Sequence, residues 1–275
     1  MTFVADAIEA GQVGPRVWFY ANYHCNLACS YCLTESSPSA PRRQLDHGLM
    51  RSITEQAAEL GFTEIGVTGG EPFLDPALPQ TLADLSSVLP VIVLTNGTLF
   101  AGDRLDRLAA MAGRAITMQI SLDSADPDIN DMARGPDNFT KVVEAIPRLL
   151  AAGHRVRIAS TGQSPDPVEQ ERLCALHRSL GIADDDHIVR PIVNRGRGVT
   201  IGGAVPAGAS ELYPELTITV DGAFWSPFAP TVVNDSVDTD LLVTRTVDPL
   251  RVPAEHMVTL ATGQLAGADV AMNIR

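Results

Sequence analysis

Three of the four cysteines lie within eight residues, in the segment Cys25-Asn-Leu-Ala-Cys29-Ser-Tyr-Cys32. Three thiolates can hold three irons of a [4Fe-4S] cluster and leave the fourth iron open to a ligand that is not protein. A zinc site completed by His24 is the alternative, although this spacing differs from that of common zinc ribbons and knuckles. Because the fourth cysteine, Cys174, is far away, the spacing favours a metal site over disulfides.

The elements that must position these thiols follow a regular alternation of short apolar runs and amphipathic segments. This pattern predicts parallel strands joined by helices, and glycines follow four of the helical stretches as C-terminal caps. The predicted strands are 17–23, 64–68, 91–95, 115–121, 155–160 and 187–193, and the predicted helices are 46–60, 76–89, 103–112, 138–152 and 167–180. The expected fold is an α/β partial (β/α)6 TIM-like barrel.

The rhythm of the sequence changes after about Gly198, where short strands at 216–220 and 223–225 flank an Asp221-Gly222 turn. We therefore expect an N-terminal lead-in over residues 1–16, the barrel over 17–198 and a small β-containing C-terminal extension over 199–275. In parallel barrels the chemistry gathers at the C-terminal ends of the strands. The first strand is expected to end just before the cysteine segment, which places the thiols at that end.

The cysteine pattern CxxxCxxC, with an aromatic residue before its last cysteine, resembles the signature of radical S-adenosylmethionine (SAM) enzymes, and the resemblance covers about residues 17–198. The second strand is followed by Gly69-Gly70-Glu71-Pro72, which resembles the GGEP motif of that family. The resemblance implies that Gly69, Gly70 and Glu71 contact the methionyl ammonium of SAM. A simple glycine turn with a surface glutamate is the alternative.

Other segments resemble the family at the ends of later strands. Thr95-Asn96-Gly97 and Ser121-Leu122-Asp123 imply SAM contacts by Asn96 and Ser121, although Asn-Gly is also a common turn pair. Arg134-Gly135 resembles the end of an HDxxRG segment whose arginine faces the SAM carboxylate, with Asn130 in place of its histidine. An exposed surface arginine is the alternative for Arg134. Tyr31 and Val193 complete the cofactor contacts that the resemblance implies.

The resemblance implies a soluble oxidoreductase with one [4Fe-4S] cluster, SAM and an external electron donor such as flavodoxin or ferredoxin. SAM would be cleaved reductively to a 5'-deoxyadenosyl radical, which abstracts hydrogen from a small polar metabolite (sugar, nucleotide or amino acid) in natural-product or cofactor biosynthesis. No catalytic side chain is identified beyond the cluster ligands. Arg195 and Arg197 are predicted to hold an anionic substrate group at the barrel mouth, and a solvated loop is the alternative.

Two other functions stay open. Modification of a ribosomally made peptide is one, although only about sixteen residues precede the first strand, which we expect to be too few for a fused leader-binding domain. A non-catalytic SAM-binding or cluster-binding partner protein is the other. Residues 216–227 resemble the hairpin that begins a SPASM or twitch domain, with Ser226 or Pro227 where the first auxiliary ligand is expected. A degenerate domain without auxiliary clusters is therefore expected, with a chance hairpin as the alternative.

Composition excludes some classes of function. The net charge of -13 disfavours extended contact with nucleic acid, because such binding depends on clustered Lys and Arg. The apolar runs are far shorter than the roughly 20 residues of a membrane-spanning helix. Asp6 and Glu9 stand where a signal peptide would carry positive charge, so a cytoplasmic protein is expected. Cys174, in a predicted helix beside Leu173, is expected to be a small buried hydrophobe, with a hydrogen-donating thiol as the alternative.

Overall fold

The structure, a computed structural model, describes residues 2–162, 166–233 and 235–263. Its strands are β1 (Arg16–Tyr20), β2 (Glu64–Thr68), β3 (Val91–Thr95), β4 (Ile116–Ser121), β5 (Arg155–Thr161), β6 (His187–Arg190), β7 (Thr217–Thr219), β8 (Gly222–Phe224), β9 (Val232–Val233), β10 (Ser236–Val237) and β11 (Leu242–Thr244). Its α-helices are α1 (Phe3–Glu9), α2 (His47–Leu60), α3 (Leu78–Leu85), α4 (Asp103–Arg107), α5 (Pro127–Arg134), α6 (Asn138–Ala151), α7 (Pro167–Ser179) and α8 (Arg251–Thr262).

Strands β1 to β6 form a parallel sheet in sequence order, as the alternation of strands and helices predicts. The sheet is curved, because Tyr20 at the end of β1 and Arg190 at the end of β6 line the same cavity. The predicted α/β fold class, a partial (β/α)6 barrel, is confirmed. On the other side of β1 the sheet continues through β7, which pairs parallel to β1, and then through β8 and β11.

The two faces of this sheet differ in polarity. Alternate strand residues, among them Val17, Phe19 and Val67, are fully buried and pack with the helices in the main hydrophobic core. The intervening residues therefore face the concave side, since successive side chains of a strand point to opposite faces. That side carries polar and charged residues, among them Gln119 and Arg157. We call the space enclosed by the concave face the lumen.

Local signals set many of the element boundaries. Asp46 caps α2 by accepting a hydrogen bond from Leu49 N at 2.8 Å, and Gly61 ends the helix with a φ of 100°. Strand β6 stops at Arg190 and not at the predicted Val193, because Pro191 has no N–H to donate to the ladder. The helix predicted over 76–89 is shorter, and that over 103–112 changes to a 3₁₀ helix at Leu108–Met111.

The sequence analysis missed the helices at the two ends of the chain. Helices α1 and α8 pack against each other, and Val4, Ala7, Met257 and Val258 join the main core from them. The predicted Asp221-Gly222 hairpin is confirmed as β7 and β8, but it adds to the barrel sheet. The division into three segments stays a prediction. No helix among the described residues has the length and apolarity needed to cross a membrane.

Candidate cluster and cofactor site

The three clustered thiols share one cavity at the C-terminal ends of the barrel strands. Cys25 is buried, Cys29 and Cys32 are half-buried, and all three line a cavity of about 190 Å³. Within the described part of the chain, no three or more Cys, His, Asp or Glu side chains form an assembled metal-binding group. His24, the fourth ligand of the zinc alternative, is not one of the described residues that line this cavity. Its Nδ1 lies 3.2 Å from Ala40 O.

Arg197 binds two backbone carbonyls of the cysteine loop (residues 24–36). Its Nε donates to Cys29 O at 2.7 Å, and its Nη2 donates to Ser36 O at 2.8 Å. A Cβ atom on the neighbouring Gly196, whose φ is 52°, would lie 2.3 Å from Leu33 O. The glycine and the arginine therefore position the loop, and the Arg197 guanidinium is engaged there instead of being free for a substrate. The solvated-loop alternative is also wrong for this residue.

Gly69 and Gly70 let the end of β2 approach the backbone of the cysteine segment. Gly70 N donates to Asn22 O at 2.9 Å, and a Cβ atom on Gly70 would lie 2.1 Å from His24 O. Gly69 has a φ of 141°, and its Cβ atom would meet Asn22 O at 2.4 Å. The sequence analysis expected these glycines to admit SAM, whereas the close contact seen is with the protein's own backbone. Both glycines still line the cavity.

Glu71 is completely buried, so the alternative of a surface glutamate is wrong. Its Oε1 accepts hydrogen bonds from Phe73 N at 3.0 Å and Thr95 Oγ1 at 2.9 Å, and its Oε2 accepts one from Asn96 N at 2.8 Å. Burial raises the pKa of Glu71 to about 7, although these hydrogen bonds act in the opposite direction. The carboxylate joins the ends of β2 and β3. Glu71 is not one of the described residues that line the cavity. Its contact with SAM stays a prediction that this arrangement does not support.

Four other expected cofactor contacts line the cavity with the thiols: Tyr31, Asn96, Ser121 and Val193. Asn96 Nδ2 lies 3.7 Å from Cys25 Sγ and donates to Asn26 Oδ1 at 2.9 Å, which fixes the start of the loop. Ser121 ends β4 and is half-buried, with its side chain turned to the cavity. The strand ends thus bring together residues that are far apart in the sequence.

Arg134 is 5% exposed, so the alternative of a surface arginine is wrong. Its Nη2 donates to Asp123 Oδ1 at 2.9 Å, its Nε lies 2.8 Å from Asp123 Oδ2, and its guanidinium lies over the Tyr31 ring. Asp123 also accepts hydrogen bonds from Tyr31 OH and, at 2.8 Å, from Thr161 N. Arg134 still lines the cavity. Asp123 was missed as a site residue, and its place in the Ser-Leu-Asp strand end was the available signal.

Arg195 is 8% exposed and has partners within the chain. Its Nη1 and Nη2 donate to the two carboxylate oxygens of Asp240 at 2.7 and 2.8 Å, and Nη2 also donates to Ala229 O at 2.8 Å. Thr231 Oγ1 donates to Leu33 O at 2.9 Å. Arg195 therefore joins the segment after β6 to the C-terminal extension, and Thr231 joins that extension to the cysteine loop. These contacts support neither the substrate contact nor the solvated loop for Arg195. Its assignment to substrate is not carried further.

Cys174 lies on α7 and does not line the thiol cavity among the residues that the structure describes. It is half-buried, less buried than a core position would be. Leu173 beside it is buried, as the apolar pattern of the helix predicts. The fourth cysteine is therefore separate from the other three in space as well as in sequence.

The model of the radical SAM superfamily matches residues 21–172, more than half of the chain. The chain therefore belongs to the radical SAM superfamily, whose members use a [4Fe-4S] cluster and SAM. Three thiols in one cavity fit a cluster that needs three protein ligands and leaves one iron open. The buried Ser36 hydroxyl lines the same cavity and has no hydrogen-bond partner in the described ranges of the chain, which fits a polar ligand there.

Curated relatives are about one-third identical to this chain over part of its length. Mycofactocin maturase MftC of Mycobacterium ulcerans is 34% identical over 133 residues, which cover 48% of this chain and 35% of that protein. GTP 3',8-cyclase 1 of Mycobacterium tuberculosis is 32% identical, with 47% and 38% covered. PqqA peptide cyclase of Xanthomonas oryzae is 33% identical, with 42% and 31% covered. The matched part of the chain thus spans only 31–38% of the length of these relatives.

Solved structures share the fold at low sequence identity. Streptococcus suis SuiB bound to S-adenosylmethionine superposes with a TM-score of 0.56 at 15% identity, covering 94% of this chain and 51% of that one. The native anSMEcpe with bound AdoMet gives a TM-score of 0.53 at 18% identity, covering 65% and 51%. At these identities the likeness concerns the fold alone.

Proposed function

We propose that this chain binds one [4Fe-4S] cluster through Cys25, Cys29 and Cys32 and cleaves SAM reductively in the adjoining cavity. The observation that carries the proposal is that the three thiols line one cavity together with Gly70, Ser121 and other strand-end residues. When bound, the cluster and SAM supply a 5'-deoxyadenosyl radical that abstracts hydrogen from a substrate. The electron comes from an external donor of the flavodoxin or ferredoxin class.

The side chains of this protein bind and orient the cofactors and exclude water. Asn96 and Ser121 offer an amide and a hydroxyl to the polar groups of SAM, and Tyr31 and Val193 supply apolar wall. Arg134 faces the carboxylate of SAM, and Asp123 holds its guanidinium in place. A preorganised wall of this kind fixes the distance between reacting atoms, which is the part of radical catalysis that a protein supplies.

The preferred substrate is a small polar metabolite, such as a sugar, nucleotide or amino acid. The cavity supports this choice because hydroxyl and guanidinium groups line it beside apolar side chains, namely Thr34, Ser36, Thr161 and Arg190 beside Ile192 and Phe228. A relative named for GTP, the GTP 3',8-cyclase of M. tuberculosis, is consistent with a small substrate.

Modification of a ribosomally made peptide is the second candidate. The names of two relatives, mycofactocin maturase and PqqA peptide cyclase, favour it, as does the fold likeness to Streptococcus suis SuiB, which was crystallised with the precursor peptide SuiA. The two candidates differ in what enters the cavity. Deuterium transfer from labelled metabolites or from labelled peptides into 5'-deoxyadenosine separates them, because only the true substrate donates its hydrogen.

The C-terminal extension is proposed to be a degenerate SPASM or twitch domain that keeps its β-hairpin and lacks auxiliary clusters. Ser226, where the first auxiliary ligand is expected, is 2% exposed, and Tyr20 OH donates to the neighbouring Pro227 O at 2.9 Å. Phe228 of the same segment lines the thiol cavity. The extension is therefore proposed to close one side of the substrate site.

The test is the formation of 5'-deoxyadenosine by the anaerobically reconstituted chain with SAM and dithionite. We expect product in proportion to enzyme, and none when the reductant is left out or when Cys32→Ala replaces the wild type. A reconstituted protein that binds SAM and changes its cluster spectrum but forms no 5'-deoxyadenosine contradicts the proposal. That outcome supports the remaining alternative, a non-catalytic SAM-binding partner protein.

A further inference from the structure

The lumen holds two arginines that the cysteine site does not use. Arg157 lies on β5 between Val156 and Ile158, which pack into the main core. Arg157 therefore points to the opposite, concave side of the sheet. Arg190 ends the neighbouring strand β6, and its side chain lines the thiol cavity. Arg190 thus lines the space where SAM and a substrate are expected, and Arg157 lies on the neighbouring strand of the same concave face.

Neither arginine has a hydrogen-bond or ion-pair partner among the described residues. Both residues are half-buried, and Arg157 Nε is inaccessible to solvent and unpaired within the part of the chain that the structure describes. Arg16, a third arginine of the lumen, is engaged by Glu64 and lies 3.5 Å from Glu215. Burial and the charges of Arg157 and Arg16 lower the pKa of Arg190, against a smaller opposing effect of Glu215. The lumen therefore has more positive charge than its own carboxylates compensate.

A buried amide next to Arg157 also lacks a partner. Gln119 on β4 is directly opposite Arg157 in the sheet register, is 2% exposed, and its Oε1 accepts no hydrogen bond among the residues described. Buried polar groups in folded proteins are nearly always paired, and an orphaned group asks for a ligand, ion or water. Among the described residues, the unpaired Gln119 acceptor thus lies beside the unpaired Arg157, whose charge acts on Arg190.

Trp18 lies on the concave face of β1. Its ring occupies the space over Gly66, where a Cβ atom would lie 2.3 Å from the ring, and its Nε1 donates to Glu215 at 3.1 Å. Arg190 lines the thiol cavity. A ligand bound by Arg190 therefore lies in the cavity that the thiols line.

We infer that Arg157 and Arg190 form an anion-binding site that holds a carboxylate or phosphate group of the substrate, with Gln119 accepting from a hydroxyl or amino group beside it. The inference rests on the proposed function, which places the substrate in this cavity. Guanidinium groups match the paired oxygens of carboxylates and phosphates. An anion anchored between β5 and β6 leaves the rest of the substrate in the cavity, toward the thiols. The substrate class is thus an anionic, hydroxylated or aminated small molecule.

The first test is anion-dependent thermal stability of the full reconstituted chain, measured without SAM or reductant. Inorganic phosphate and acetate, at constant ionic strength set with chloride, are the two probes for the two anion classes. We expect at least one probe to raise the melting temperature of the wild type progressively with concentration. In Arg157→Met and Arg190→Met, the anion concentration needed for the same rise in melting temperature should be about tenfold higher or more. Arg155→Met, whose side chain is 71% exposed on the same strand, is the matched control and should keep the wild-type response.

The second test separates a ligand site from a structural role and from SAM binding. Without added anion, Arg190→Met should melt at a temperature equal to or above that of the wild type, because a half-buried charge without a protein partner among the described residues is removed. SAM affinity should be unchanged. A response to neither probe, an equal response in all variants, a lower melting temperature of Arg190→Met or a loss of SAM affinity overturns the inference. Since the measurements need no SAM cleavage, failure here leaves the 5'-deoxyadenosine test of the proposed function unaffected.

Discussion

Two pairs of arginines near the cavity differ in what they contact. In the segment after β6, Arg195 binds the Asp240 carboxylate, and Arg197 binds backbone carbonyls of the cysteine loop. Arg157 and Arg190, in the lumen, have no such partner among the described residues. The first pair holds segments of the protein together, whereas the half-buried second pair has donors left for a ligand. The difference separates the scaffold of this site from its proposed substrate contacts.

The largest expected effect concerns the loop that the first pair supports. Replacing Cys25, Cys29 or Cys32 by Ala should abolish the absorbance of the cluster and SAM cleavage, because two thiolates cannot hold a cluster with one open iron. Cys174→Ala is the matched control and should keep both. Visible absorbance and iron content after anaerobic reconstitution measure the effect. Loss of the cluster in Cys174→Ala, or its retention in any of the three loop variants, contradicts the ligand assignment.

The second effect concerns the buried ion pair of the cavity wall. Asp123→Asn leaves the Arg134 guanidinium buried without its counter-charge, which should cost about 3–5 kcal/mol of unfolding free energy. SAM binding should weaken in Asp123→Asn and in Arg134→Ala, while cluster assembly is kept. Urea unfolding and SAM titration are the measurements, and Asp128→Asn, an exposed position on α5, is the control. Unchanged SAM affinity in Arg134→Ala would leave Arg134 as a structural residue.

A smaller effect compares the two arginine pairs directly. Arg195→Met removes the two bonds to Asp240, whose side chain is 45% exposed and can be solvated, so about 1–3 kcal/mol of stability should be lost. Arg190→Met should lose none. Equilibrium urea unfolding of the two variants measures the contrast. Equal destabilisation by both changes would show that the lumen arginine is also part of the scaffold.

The sequence predicted the limits of strands β2 and β3 because their signals are local. Strands β1 and β6 end earlier than predicted, at Tyr20 and Arg190. Arg195 and Arg197 were assigned to an anionic substrate group at the barrel mouth, because the partner Asp240 lies far along the chain and no local signal indicates it. That Arg157 and Arg190 lie on the concave face of the sheet could be recognised only from the strand register of the structure. The alternation Arg-Val-Arg-Ile in β5 was the available signal, since it sets Arg157 opposite the core-facing residues.

The smallest effect tests a buried polar group of another kind. His177 on α7 is 1% exposed, has no hydrogen-bond partner at either ring nitrogen among the described residues, and stacks edge-on with His187. Burial and His187 lower the pKa of His177 to about 4, so the group is buried neutral. A histidine can lose its charge on burial, whereas an arginine cannot. The lumen arginines therefore keep their positive charge, whereas the buried His177 is neutral.

The pH dependence of stability follows from that lowered pKa. Between pH 6.5 and about 4 the unfolded chain binds a proton at His177 that the folded chain does not, so stability falls as the pH is lowered through this window. His177→Phe should flatten this part of the profile. Urea unfolding of variant and wild type at several pH values gives the difference. A profile that His177→Phe leaves unchanged would show that His177 is protonated in the folded protein.

The most direct test of the central claim is the iron and sulfide content of the anaerobically reconstituted chain. The cluster needs three thiolates, and Cys174 is the one cysteine of this sequence that remains. We therefore expect about four iron and four sulfide ions per chain, in a single spectroscopic species whose signal changes when SAM is added. About eight irons, in centres of which some do not respond to SAM, would contradict the single-cluster account and require further ligands in the C-terminal extension.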